Sequence, residues 1–177
     1  MNDIKQGSYS PFRSLAVSVF GILILISSSG ALAGELNLLI NGHAHHMNVQ
    51  PGIKYNESNW GAGFQYDYDR RDNGWVPFLT ASGFKDSMSN MSYYAGGGAQ
   101  YRFDVAPSLD GLHVDAGVVA FLMTRKDFKG DHPFPGVLPA FTIGTKHVSL
   151  NITYIPKVEP KMVPLWFFQL KVPLMNL

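Results

Sequence analysis

The 177-residue sequence contains no cysteine, which excludes disulfides, thiolate chemistry, cysteine metal sites and lipid attachment at a cysteine. Charge is also scarce. Asp, Glu, Lys and Arg make up 15% of the residues, against roughly 25% in soluble domains. The formal net charge of +1 gives no basic surface for nucleic acid, and no nucleic-acid partner is expected. No apolar run after the first 33 residues is long enough for a membrane-spanning helix.

What the chain has in quantity is turn and strand formers, with 18 glycines and 13% aromatic residues. Its start reads as an export signal. Lys5 and Arg13 supply positive charge, an apolar stretch runs from Leu15 to Ile26, and Ala31-Leu32-Ala33 offers small residues for cleavage. That apolar stretch is about a dozen residues, short of the ~20 that a spanning helix needs. Residues 1–33 are therefore expected to be a signal peptide and residues 34–177 a single domain.

That domain alternates apolar and polar residues with period 2. Trp60-Gly61-Ala62-Gly63-Phe64-Gln65-Tyr66-Asp67-Tyr68-Asp69 is the clearest case, the pattern of a sheet with unlike faces. Asn73-Gly74 is the strongest short hairpin signal. Eight strands are expected, near 36–46, 60–69, 76–82, 93–103, 112–125, 136–144, 147–155 and 165–172. They are joined alternately by short turns and longer polar loops. Eight strands of this length, poor in charge, fit an all-β, eight-stranded antiparallel transmembrane β-barrel. A soluble lipocalin-like barrel is the competing architecture. A closed barrel has no free edge, so a monomer is expected. The prolines at 133, 135, 139, 156, 160 and 164 are expected at or near strand ends, where a missing N–H can leave a gap in the ladder.

The chemistry-bearing residues are few. Asp86 and Ser87 sit in a predicted turn after Lys85, and His43, His45 and His46 close the first strand. Acyl transfer needs an oxygen nucleophile, a base with a pKa near ambient pH and a carboxylate to orient it. All three residue types are present. Adjacent residues on a regular strand point to opposite faces, so Asp86 and Ser87 converge only through a turn or distortion. His43 and His45 share a face, as two zinc ligands would, while His46 points the other way. Spacing fixes no third ligand, and neither a functional metal nor a cofactor is expected.

Several segments, in order, resemble the outer-membrane lipid A palmitoyltransferase family. They are Tyr55-Asn56-Glu57, Asn59-Trp60-Gly61-Ala62-Gly63-Phe64, Phe84-Lys85-Asp86-Ser87, Ala95-Gly96-Gly97-Gly98, Thr124-Arg125, Pro135 through Leu138-Pro139, and Thr153-Tyr154-Ile155-Pro156. The resemblance implies an eight-stranded outer-membrane barrel of a Gram-negative bacterium. Such a barrel moves a palmitoyl chain from a phospholipid donor to a hydroxyl of lipid A. It implies a catalytic set of a histidine, Asp86 and Ser87, with His43 and His46 both alignable and His46 nearer the strand end. It places Gly98 at the floor of the acyl pocket, Arg125 among the substrate-binding residues, and Pro135 or Pro139, with Pro156, on lateral routes for lipids. Family members begin with an amphipathic helix and end in an aromatic residue. Here a strand is expected almost at Gly34, and Trp166-Phe167-Phe168 is followed by a tail through Pro173 to Leu177. The same Ser/His/Asp set would also serve a lipid esterase with water as acceptor, and a non-catalytic lipid-binding barrel is the third possibility.

Overall fold

A computed structural model describes residues 33–49, 51–157 and 163–177. Residues 1–32 of the expected signal peptide, and Pro160, lie outside them. Eight strands form one closed antiparallel barrel in sequence order. They are β1 (Gly34–His46), β2 (Ser58–Tyr68), β3 (Trp75–Lys85), β4 (Met91–Ala106), β5 (Leu112–Thr124), β6 (Phe134–Gly144), β7 (Ser149–Ile155) and β8 (Leu165–Asn176). Residues 69–74, 107–111 and 145–148 turn at one end of the barrel. The longer connections between β1 and β2, β5 and β6, and β7 and β8 lie at the other end, together with the tight β3–β4 turn. At Asn73-Gly74 the hairpin closes because Gly74 adopts φ 86°, a conformation that costs glycine little.

Period-2 alternation has one physical outcome here. Ile40, Phe64, Leu79, Val118, Leu122, Val137, Phe141 and Leu170 point outward as an exposed apolar band, as a lipid-facing surface requires. Trp60 marks one end of the band, and Trp75, Tyr101 and Phe103 mark the other, in edge and tilted contact with one another. Aromatic side chains at those two levels match the interfacial girdles of a membrane barrel.

The interior is divided into two zones. Towards the long-loop rim, Ala44, Phe84, Leu165 and Phe167 pack together, joined by Tyr94, Met123 and Ile155. Deeper on the opposite wall lie Phe78, Val119 and Ala140, with Phe121 and Leu138 against them. These residues line an apolar chamber of ≈ 560 Å³ that reaches Ser87 at the rim. Below it the lumen is closed by polar side chains bonded from wall to wall. Gln100 donates to Thr142 (3.2 Å), Thr142 to Asn151 (2.8 Å), Asn151 to Gln65 (3.0 Å), and Gln65 to Asp67 (2.6 Å). Lys171 completes the chain with a 2.7 Å contact to Asp67. A buried ion pair persists only when hydrogen bonds serve its remaining lone pairs, and Asn37 donates to the same Asp67 oxygen at 3.3 Å.

Two features depart from the expected strand layout. Pro135 is the second residue of β6, near its end as expected, but Pro139 lies in the middle of the strand. They are tolerated because β6 and β7 pair only from Ala140–Thr153 to Gly144–Ser149, so the β7-facing edge of Phe134–Pro139 is unpaired and no donor is missed. The C-terminal tail is also strand. β8 runs through Pro173 to Asn176, and a register shift between Leu36 and Asn37 of β1 sits opposite Pro173.

Candidate active site

The site is built where β1 loses its regular register. Asn37, Leu39 and Asn41 point inward. A bulge between Asn41 and His43 shifts the pairing with both β2 and β8. One extra residue reverses the facing of everything after it. Ala44 and His46 therefore turn into the lumen, while His43 and His45 are left exposed. The bulge decides which histidine enters the barrel. His43 stacks on Phe168 at 6.2 Å, away from the chamber.

His46 meets Ser87. Its Nε2 lies 2.7 Å from Ser87 Oγ, within the reach expected of a base and its nucleophile. The imidazole is buried and stacked on Tyr55, centroid to centroid 4.6 Å. Its Nδ1 has no hydrogen-bond partner and faces the Glu57 carboxylate at 3.5 Å. Glu57 also accepts the backbone N–H of His46 at 3.1 Å. That backbone bond is the main reason the Glu57 carboxyl is held below its ordinary value.

The β3–β4 turn carrying Ser87 is fixed from two sides. From the β1–β2 loop, Asn56 donates its side chain to the Asp86 carbonyl (3.0 Å) and its backbone N–H to the Ser87 carbonyl (2.8 Å). Asn59, fully buried, donates to the Lys85 carbonyl at 2.7 Å. From within the turn, the Asp86 carboxylate accepts the N–H groups of Met88 and Asn90 at 2.9 Å each, and the Ser92 hydroxyl at 2.8 Å. Arg125 Nε stands 3.9 Å from the same carboxylate and its guanidinium is paired with Asp127. In this arrangement Asp86 makes no contact with His46 and instead holds the turn that carries Ser87. Its oxygens are consumed by the turn, and the carboxylate beside His46 is that of Glu57.

The remaining expected site residues divide. Arg125 and Pro156 line the chamber, as does Pro135. Pro139 lies on β6 beside the unpaired seam. Gly98 does not itself line the chamber. A Cβ placed there would meet the Phe78 ring at 2.7 Å and the Val118 carbonyl oxygen at 2.1 Å. Phe78 thus covers Gly98 and presents its ring to the chamber in its place, alongside Gln65 and Gln100 of the polar chain.

Residues 32–169 match the profile of a family described as "Antimicrobial peptide resistance and lipid A acylation protein PagP". The chain belongs to the PagP family. It is similar to the lipid A acyltransferase PagP of Methylobacillus flagellatus, 35% identical over 128 residues, covering 70% of this chain and 67% of that protein. The lipid A acyltransferase PagP of Bordetella pertussis is 33% identical over 127 residues, covering 70% and 68% respectively. That of Sodalis glossinidius is 32% identical over 104 residues, covering 58% of this chain and 53% of its own length. The matches span between half and about two thirds of these relatives. In this PagP-family chain, Tyr55, Asn56 and Glu57 are the site residues to which composition and spacing assigned no role. Their signal was positional, since they form one of the segments carrying the family resemblance.

Proposed function

We infer that this chain is an outer-membrane acyltransferase that acylates lipid A, with a phospholipid as donor and a palmitoyl chain as the group moved. The observation that carries this reading is the His46–Ser87 contact of 2.7 Å at the mouth of an apolar chamber. A hydroxyl–imidazole pair is suited to acyl transfer, and an apolar chamber is suited to an alkyl chain. The family and its acyltransferase relatives support the same reading.

In the proposed reaction the donor's acyl chain fills the chamber and its ester carbonyl rests at the rim. With a proton on Nδ1, facing Glu57, the Nε2 of His46 is free to accept the proton of an attacking hydroxyl. By the covalent route that hydroxyl is Ser87. A new C–O bond forms to Ser87, the donor's C–O bond breaks, and the departing alcohol takes the proton from His46. The lipid A hydroxyl then repeats the attack on the acyl-serine and releases Ser87. By the direct route the lipid A hydroxyl attacks the donor ester first, and Ser87 only positions the carbonyl. The Arg125 guanidinium at the chamber wall suits a lipid phosphate. The seam between β6 and β7, beside Pro139 and Pro156, is the proposed lateral route from the bilayer.

Mass spectrometry of lipid A from cells with and without the protein tests the reading. The expected result is a mass gain of one esterified palmitoyl group, lost in His46→Ala. Loss of an acyl chain instead would assign a deacylase, and no change with protein confirmed in the outer membrane would remove the enzymatic reading. Substantial transfer by Ser87→Ala would exclude the covalent route.

A further inference from the structure

The bulge that turns His46 inward has a second product on the outer surface. His43 and His45 emerge side by side there, two residues apart on one face of β1, both exposed. Glu57 lies opposite them, because its carbonyl accepts the Ala44 N–H at 3.1 Å and His43 pairs with Ser58. One potential ligand atom from each of His43, His45 and Glu57 lies within 4.8 Å of the other two. We propose that these three side chains form a site for a divalent transition-metal ion of the zinc class, on the outer face of the long-loop rim.

The donor set defines the class. Two imidazoles and one carboxylate suit zinc and its first-row neighbours, whereas magnesium and calcium ask for six or more oxygen donors. Ligands on one tetrahedral zinc lie roughly 3.3 Å apart, given metal–ligand bonds of about 2.0–2.1 Å. Closing from 4.8 Å requires only side-chain rotation, which exposed residues allow. Among the described residues, no hydrogen bond engages the ring nitrogens of His43 or His45, so they need not be withdrawn from other partners. One Glu57 oxygen serves the His46 N–H, leaving the second for an ion. Three protein donors leave a fourth position open to water or another ligand. The site does not depend on the acyl-transfer reading, since it requires only the folded rim.

The test is calorimetric titration of Zn²⁺ into tag-free protein folded in detergent, with Co²⁺ absorption as a second readout of coordination. One ion per chain is expected, retained in large excess of Mg²⁺. His43→Gln, His45→Gln and Glu57→Gln should each weaken binding by more than about 100-fold, beyond the ~10–100-fold that loss of a group merely supporting a ligand typically costs. His147→Gln, a change at an exposed histidine outside the site, should leave it intact. Absence of Zn²⁺ binding by the folded wild type would overturn the proposal. So would binding that His45→Gln does not weaken, or that Mg²⁺ displaces. Heat-modifiable migration on gels confirms that each variant is folded, so loss of binding is not loss of the barrel.

Discussion

Chain-length selection in the chamber is expected to turn on Phe78. Its ring lines the deep part of the apolar chamber, packed with Val119 and Ala140 and seated over Gly98. Phe78 lies eight residues below Asp86 on a tilted strand, a depth of about 19 Å at ~3.4 Å per residue and ~45° tilt. That is on the scale of an extended palmitoyl chain. Phe78→Leu removes three heavy atoms from this end while keeping it apolar, which leaves room for about two further methylenes in a close-packed interior. At ~0.8 kcal/mol per buried methylene the gain is about 1.6 kcal/mol, or roughly a 15-fold change in the ratio of rates for the longer and native chains. The lost packing should lower stability by only ~1–2 kcal/mol. The assay is competition between phospholipid donors of different chain length, with lipid A products resolved by mass. An unchanged product ratio from folded, active Phe78→Leu would refute the placement of the acyl terminus at Phe78. Gly98→Ala acts in the opposite sense, since its methyl drives the same ring into the chamber and shifts products towards shorter chains. It also strains the β4–β5 ladder at the Val118 carbonyl, so its folded yield should fall as well.

His46→Asn should lower the transfer rate by about 10²–10⁴-fold, the usual range for a general base, and by at least tenfold more than His43→Asn, as measured with radiolabelled donor in detergent. Asn56→Ala leaves the barrel intact but releases the Asp86 carbonyl, so kcat should fall while heat-modifiable migration and unfolding midpoint stay near wild type. Lys171→Met strands the Asp67 carboxylate in the lumen and should cost about 3–5 kcal/mol in urea-induced unfolding, whereas adding Asp67→Asn should recover a large part of that loss.

The strands were legible in the sequence because an interior and a lipid-facing surface impose opposite chemistry on alternate residues. Trp60 to Asp69 shows this without any knowledge of its partners. Asp86 and Ser87 were also legible, as an acid and a hydroxyl at a hairpin tip. The identity of the inward histidine was not. His43 and His46 differ in parity, and the parity of β1 is reset by the bulge after Asn41, which period-2 reading assumes away. The local bonding of Asp86 was not legible, because the side-chain-to-backbone bonds to the N–H groups of Met88 and Asn90 depend on the turn's backbone geometry. Glu57 stayed hidden because it sits in a loop, where spacing carries no facing information. Pro139 is expected at or near a strand end because a strand paired on both sides cannot absorb it. An edge left open towards β7 can.

An enzyme set into a permeability barrier must not become a hole in it. The bonded chain from Gln100 through Asn151 and Asp67 to Lys171 crosses the lumen, and its donors and acceptors satisfy one another in place of a file of water. A planar bilayer containing the protein is therefore expected to carry no current above baseline. The same closure dictates the direction of traffic. On the proposed reading, lipid would reach the chamber sideways or over the rim and not from beneath, so the two faces of the membrane would stay electrically separate while acyl chains are exchanged at one of them.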